Sequence, residues 1–432
     1  GAGDEIGAES VFAQTLPRLL PSERVEIHDV TPLLAPQEQP RYRELRGPER
    51  ARYHERLWRL ADPLYLTEGN ESLVEHISRR VYARILAYAP ADGDLGWGPD
   101  VVELTMRFGV PTARTQNFGD GVGGKRVTEH FAPNQLTYVP PATLTKGALV
   151  GFEPGSAWPY DTVRTRSGYA PETFRRMLVI EHQVARYPAS SGGDLRADYV
   201  LPLDSVVALP ARFAVALFAL DSTFQILGQA HDTVTVHSAG SSGTLSMPLP
   251  AGTVAYSLEA LELSTRLASR ARYLLPVQSA ARPRLSDVAV MTSSEAPPPS
   301  ARAGAEFKPL PSLVIQQGDA IALFMEAGGL TADPGRQVRY RVDLEVLEQS
   351  SPGTFGRVVR RLSRALGLGG DDIAPRITWN QQQDARETTV ITLKLGQVQL
   401  EPGVKQFRLT LTDLQTNASA STDRLVRIVK AR

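Results

Sequence analysis

Cysteine is absent from the 432 residues, and neither charge sign is in excess, with 47 Lys and Arg against 47 Asp and Glu. The missing thiols exclude disulfide scaffolds, thiol catalysis and cysteine-ligated metals. Balanced charge argues against nucleic acid as a partner, because bulk binding to phosphates needs a basic excess. Long apolar runs are missing too. The longest, Phe213 to Leu220, falls far short of the roughly 20 residues that cross a bilayer, so we expect no transmembrane span.

Glycine and proline, by contrast, are plentiful, at 35 and 32 residues. Both interrupt helices, so they favour strands and turns. Hydrophobic residues make up 42% of the chain and charged residues 22%, which is typical of a globular protein and excludes a wholly disordered one. The length predicts about three domains. We expect a mainly β fold with a small α/β module at the N-terminus and two Ig-like β-sandwiches.

The first 148 residues divide into two predicted parts. Residues 1–45 carry closely spaced prolines, which limit helix length and predict an extended Pro-rich arm. Residues 46–148 are predicted to form a small helical/β module, with short strands between residues 95 and 145. One of these strands is expected at Val101–Phe108, where apolar and polar residues partly alternate.

Two helices are expected inside this module. Gly47-Pro48 opens the first, because proline is tolerated in a first helical turn, and Asp62-Pro63 ends it. Apolar residues at helical spacing predict the second from about Glu71 to Tyr88. The face predicted to be buried comprises Leu73, Val74, Ile77, Val81, Ile85 and Leu86.

The rest of the chain reads as two β-sandwiches, over residues 149–282 and 283–432. Both contain strand-length segments rich in β-branched and aromatic residues, separated by turn signals. Val338–Val346 alternates cleanly, as in a sheet with one solvated face. A helical insert at residues 354–368 is expected to interrupt the second sandwich.

The segment Gly119–Lys125 matches the glycine-rich part of a phosphate-binding loop. A working loop then needs Ser or Thr to hold magnesium, but Arg126 stands there. It also needs a helix to follow, and Pro133 limits one. We therefore expect a hairpin or surface loop, and no cofactor.

His76 lies on the second predicted helix together with Glu71 and Glu75. The two carboxylates are four residues apart and share a face, so the trio could begin a metal site. The spacing is not His-Glu-x-x-His, and no second ligand cluster is evident. Ion pairs with Arg79 or Arg80 are the expectation, with no metal and no catalytic residue.

The insert at residues 354–368 has an apolar stripe and a basic face without acidic residues. Such helices lie on anionic membrane surfaces or bind acidic partners. The alternative is a helix that packs on its own sandwich. The residues predicted to dock are Phe355, Arg357, Val358, Arg360, Arg361, Leu362 and Arg364.

Part of the N-terminal module resembles the GWxTD-domain family. The resemblance lies in Trp58–Pro63, Asn70-Glu71, Glu75–Ala83, Gly96–Asp100 and Phe108–Pro111. Its motif residues here are Trp58, Asp62, Glu75, His76, Gly96, Trp97 and Asp100. Pro99 replaces the threonine of the eponymous motif. The resemblance implies a bacterial, exported protein without assigned activity, in which β-sandwiches follow a helical module. We expect Trp97 and Asp100 to anchor a turn, with the indole buried and the carboxylate capping amides.

These observations predict a non-enzymatic, extrinsic structural or binding subunit. Its expected partner is an integral membrane protein complex, contacted from the periplasmic face, for example a photosynthetic reaction centre with its light-harvesting ring. The start at Gly1 without methionine also favours a mature exported chain.

Two other functions stay open. One is an exported hydrolase or peptidase-like enzyme that uses His76, Glu71 and Glu75. The other is a carbohydrate- or peptide-binding sandwich. Its exposed aromatic candidates, which core packing explains equally well, are Trp158, Tyr160, Tyr169 and Trp379.

Overall fold

The computed structural model is mainly β, with a small helical module at the N-terminus and several sheets, as predicted. It describes residues 5–88, 99–118, 125–130, 138–140, 171, 174, 176–188, 193–204, 207–276, 278, 282–293, 307–348 and 376–431. The predicted insert at 354–368 lies outside these residues, as do Trp158, Tyr160 and Tyr169. None of the helices in the described ranges is long and apolar enough to cross a membrane.

The prediction of an extended N-terminal arm is wrong, because this segment is helical. Helices α1 (Glu5–Thr15), α2 (Pro21–Ile27) and α3 (Gln39–Glu44) alternate with short 3-10 turns. Pro17, Pro21, Pro32 and Pro40 lie in the first turns of α2, α3 and the 3-10 turns, where no intrahelical N–H bond is lost. Pro36 lies in the turn before α3. Proline spacing therefore set the lengths of these helices and did not prevent them.

Both predicted module helices are confirmed, as α4 (Gly47–Ala61) and α5 (Glu71–Tyr88). The strand predicted at Val101–Phe108 is wrong: this segment belongs to helix α6 (Pro99–Phe108). Its partial alternation also fits a helical period, and α6 buries the adjacent pair Thr105 and Met106, as a helix can and a one-sided strand cannot.

A hairpin follows α6. Strands β1 (Ala113–Phe118) and β2 (Lys125–His130) pair antiparallel, with Phe118 opposite Lys125. The glycine-rich segment 119–124 lies outside the described residues, but it joins two antiparallel strands. The hairpin prediction is therefore confirmed, and the strand-to-helix arrangement of a phosphate-binding loop does not occur.

The first β-sandwich packs a five-stranded sheet, in the order β3-β10-β9-β6-β7, against a three-stranded sheet, β4-β5-β8. Its strands are β3 (Met177–Leu178), β4 (Glu181–Tyr187), β5 (Asp194–Val200), β6 (Ala211–Leu220), β7 (Ile226–Val236), β8 (Ser242–Pro248), β9 (Ala255–Glu262) and β10 (Ala268–Leu274). Inward side chains of both sheets, such as Leu195, Val215 and Leu258, form one fully buried core.

The second β-sandwich has a five-stranded sheet in the order β13-β19-β18-β15-β16. In the facing sheet, β14 pairs with β11 and β12 along one edge and with β17 along the other. Its strands are β11 (Arg284–Leu285), β12 (Ala289–Thr292), β13 (Val314–Gln316), β14 (Ala320–Gly328), β15 (Gln337–Glu348), β16 (Arg376–Asp384), β17 (Thr388–Gln397), β18 (Gly403–Asp413) and β19 (Ser419–Val429). Tyr340, Ile391 and Phe407 represent its core.

The two sandwiches repeat one topology. In each five-stranded sheet, a short first strand pairs in parallel with the last strand, as β3 with β10 and β13 with β19. The other pairings of these sheets are antiparallel and follow the same order. This is the immunoglobulin-type arrangement that the strand spacing predicted.

Candidate functional site

The GWxTD-like residues that the structure describes form packing and ion-pair contacts. His76 and Trp58 are buried against each other, with ring centroids 4.8 Å apart. His76 Nε2–H donates to the carbonyl oxygen of Ile27 at 3.0 Å. Burial and the positive Arg80 hold the pKa of His76 well below its usual range, so the ring is neutral. Glu75 instead accepts a 2.6 Å bond from Arg79, the ion pair that its position predicts.

His76, Glu71 and Glu75 therefore do not converge on one point. No cluster of three metal-ligating side chains occurs within the described ranges. Gly96 and Trp97 lie outside these ranges. Asp100 lies in α6, not in a turn, because Pro99 begins that helix; the side chain of Asp100 is not described.

Asp62 marks a buried seam between the helices and the first sandwich. Arg270 Nη1 donates to the main-chain oxygens of Asp62, at 3.0 Å, and Pro63, at 2.8 Å. Arg272 Nη1 reaches the Asp62 oxygen at 3.1 Å, while its Nη2 pairs with Glu259 Oε1 at 2.9 Å. Both partners of this ion pair are fully buried. These bonds satisfy the carbonyl groups of the two residues that follow α4, so the Trp58–Pro63 motif joins the helices to the first sandwich.

A cleft of about 730 Å³ lies between the two sandwiches. One wall comes from β4, β9 and β10, and the other from β18, β19 and the turn before β13. Three side chains form hydrogen bonds or ion pairs between the two sandwiches and hold these walls in place. We call these contacts ties. Arg186 pairs with Asp287 through both carboxylate oxygens at 2.8 Å. Gln183 binds the main-chain N–H and C=O of Val290 at 2.7 and 3.0 Å.

Arg424 forms the third tie and lines the cleft. Its Nε donates to the Val288 oxygen at 2.6 Å and its Nη2 to the Val184 oxygen at 2.9 Å. Val288 belongs to the second sandwich and Val184 to the first, so one side chain on β19 bridges both. With these bonds in place, the cleft is preformed.

The first-sandwich wall of the cleft is a neutral aromatic cluster of His182, Tyr256 and Tyr273. The His182 Nδ1–H donates to the Ile180 oxygen at 2.9 Å, so its Nε2 accepts the Tyr256 hydroxyl at 2.8 Å. The two tyrosine rings stack at 5.8 Å. Burial lowers the pKa of His182 to about 4 and raises the pKa of Tyr256 above its usual range. At neutral pH both groups are therefore uncharged, and this wall presents neutral rings to the cleft.

Apolar side chains are also exposed on the helical module. Val81, Ile85 and Tyr88 follow one face of α5 and are 36%, 61% and 81% exposed. Leu20 and Val25 of the adjacent α2 region are 65% and 57% exposed. We call these five residues the apolar helical face. The predicted burial of α5 is right for Val74 and Ile77 but wrong for Val81 and Ile85, because the packing partners of α5 do not cover its last turns.

The residues Phe355, Arg357, Val358, Arg360, Arg361, Leu362 and Arg364 all lie outside the described ranges. Trp379 of β16 is half-buried and packs against the core of the second sandwich, so it is not a free binding aromatic. Sequence reasoning missed the cleft, because its residues come from separated strands and carry no local motif.

Comparisons with known proteins add no family. No protein-family model and no curated protein matches the chain. Among solved structures, red sea bream transglutaminase is similar over 78% of this chain and 44% of its own, with 11% identity and a TM-score of 0.18. A Bacteroides uniformis β-glucuronidase is similar over 55% of this chain and 26% of its own, with 8% identity and a TM-score of 0.21. The chain thus spans less than half of either protein.

Proposed function

We propose that the chain is a non-enzymatic, extrinsic subunit that docks onto an integral membrane protein complex. The observation that carries this proposal is the apolar helical face. Large apolar side chains with more than a third of their surface exposed, gathered on one helix face and its neighbour, are typical of a protein-interaction surface. The buried seam joins this face to the sandwiches, so a partner bound at the helices also positions the sandwiches.

The basic helix predicted at residues 354–368 is the second docking element of this proposal. Its arginine face would contact acidic groups of the complex or the anionic membrane surface beside it. The balanced total charge suits docking at defined sites better than long-range electrostatic capture. Periplasmic placement rests on the GWxTD resemblance, and a photosynthetic reaction centre with its light-harvesting ring is one concrete partner.

The hydrolase or peptidase alternative has less support. Its candidate residue His76 is bonded to the Ile27 oxygen, and Glu75 is paired with Arg79. Burial also holds the pKa of His76 well below its usual range. These contacts describe a structural role.

The test is to solubilise native membranes gently, separate the complexes by size and locate the chain by mass spectrometry. We expect co-migration with one large complex, lost in the double variant Ile85→Asp/Tyr88→Asp. The control is Leu414→Asp, which places the same charge at an apolar residue of the second sandwich that is 46% exposed; it should co-migrate like the wild type.

A separate variant reverses Arg357, Arg360, Arg361 and Arg364 to glutamate and tests the basic helix. Migration of the wild-type chain as a free monomer would overturn the docking proposal. Retention of the Ile85→Asp/Tyr88→Asp variant in the complex would remove the apolar helical face from it.

A further inference from the structure

We infer that the cleft between the sandwiches binds an extended peptide with an acidic residue, which adds as a strand to the open edge of β19. This inference goes beyond docking at the helices. It rests on three features of the cleft: a strand edge that no described strand pairs, apolar walls, and arginines that form no ion pair with a described carboxylate.

The strand edge comes first. β13 pairs with β19 only over Val314–Gln316, opposite Arg427–Val429. Leu313, with φ of 50°, precedes this pairing and lines the cleft, where the earlier chain no longer follows β19. The β19 edge from Ser419 to Val426 is therefore unpaired on this side within the described part of the chain.

The direction of the free main-chain groups follows from strand alternation. The Arg427 N–H points to this edge, because it donates to the Leu313 oxygen at 2.9 Å. β18 and β19 pair without a register shift, so the N–H and C=O groups of Leu425 and Asp423 point the same way. No hydrogen bond from these main-chain groups to another described residue forms at this edge. Both residues line the cleft, so it presents the ladder of donors and acceptors that an added strand needs.

The walls suit side chains of such a strand. Val179 and Val404 line the cleft from opposite sandwiches and are 61% and 37% exposed. Tyr273 adds a half-buried ring. Because residues of an extended peptide alternate in direction, every second side chain would meet these apolar groups. The preformed walls reduce the ordering cost of binding.

Charge selects an acidic peptide. Arg424 donates to two carbonyl oxygens, and Arg427 is exposed at the mouth. Neither forms an ion pair with a carboxylate among the described residues. Three carboxylates line the cleft. Asp287 and Asp423 are already paired, with Arg186 and Arg408, and the exposed Glu181 lies on the opposite wall from Arg424 and Arg427. A peptide carboxylate would supply the missing partner through a charge-assisted bond.

The experiment uses the full chain and a displayed library of short linear peptides. We expect selected peptides to alternate apolar and polar residues and to contain Asp or Glu. Leu425→Pro, which removes the edge N–H, and Arg427→Glu should each weaken the best peptide at least about tenfold. The matched control is Ser421→Pro, at the same alternation on the same edge but outside the cleft lining; it should bind like the wild type.

A second arm leaves the protein unchanged. The selected peptide is methylated at alternate main-chain nitrogens, which blocks strand addition but keeps the side chains. We expect at least about tenfold weaker binding from one of the two methylation patterns. Equal binding of both methylated peptides, or no peptide tighter than about 1 mM, would overturn the inference. So would capture of glycans without capture of any peptide.

This test is separate from the docking test. Peptide binding is measured on the purified chain without membranes, whereas docking is measured by co-migration. Loss of one result therefore leaves the other standing.

Discussion

Removing the Arg272 side chain should undock the helical module from the first sandwich. The Arg272→Met variant keeps a long apolar chain but removes the cation that pairs with the fully buried Glu259 carboxylate. Among the described residues, Glu259 then keeps two hydrogen-bond donors, the Leu66 N–H at 3.0 Å and the Ser257 hydroxyl. Breaking a buried ion pair from one side costs about 3–5 kcal/mol, because the other charge stays buried. The Asp62 carbonyl also loses a donor.

The double variant Arg272→Met/Glu259→Gln separates the ion pair from the packing. It removes both charges, so it should cost less than the sum of the single variants, with a coupling energy of about 0.5–3 kcal/mol. The exposed Arg339, which pairs with Asp333, is the control; Arg339→Met should cost below about 1 kcal/mol.

The assay is native-state hydrogen exchange by mass spectrometry. Unfolding free energies are read separately for residues 57–66, at the joint, and for 403–429, in the second sandwich. We expect the loss in Arg272→Met to appear at the joint and not in the second sandwich. A decrease of the unfolding free energy below about 1 kcal/mol at residues 57–66, or an equal decrease in both segments, would refute the conclusion that this buried ion pair stabilises the joint.

Two further predictions concern the pH dependence of stability and the contact between Gln183 and Val290. Burial lowers the pKa of both His54 and His182 to about 4, below the unfolded value near 6.5. The unfolded chain therefore binds more protons between these values. The contribution of each histidine to the free energy of unfolding is fully present above about pH 6.5 and falls on acidification by up to about 1.4 kcal/mol per pH unit. A urea midpoint that stays constant from pH 7.5 to 5 would contradict this prediction. Gln183→Leu leaves the buried Val290 N–H without its acceptor, while the Val290 oxygen keeps the Leu310 N–H. It should destabilise the contact between the sandwiches by about 1–3 kcal/mol, measured as faster exchange of residues 288–291; unchanged exchange would contradict this prediction.

Local sequence signals predicted elements wherever a single period dominated. The proline start and apolar stripe placed α4, and α5 spans the range expected from its spacing. Clean alternation likewise placed β15. The wrong predictions concern segments whose pattern is compatible with two structures. Prolines in residues 1–45 begin short helices, and the apolar pattern of Val101–Phe108 fits both a strand and a helix.

The sequence by itself determined the β-rich class, the sandwich pair and those elements in which one period is clear, because these follow from periodicity over neighbouring residues. Only the tertiary structure decided which polar groups meet. Arg272 forms hydrogen bonds with Glu259 and with the Asp62 oxygen after α4, and Arg424 of β19 donates to the Val184 oxygen of β4. Such contacts join residues far apart in the chain, and no local pattern encodes them. The cleft and the open edge of β19 are also tertiary features. The cleft exists because two sandwiches with separate cores pack beside each other, and the edge is open because β13 pairs with only three residues of β19.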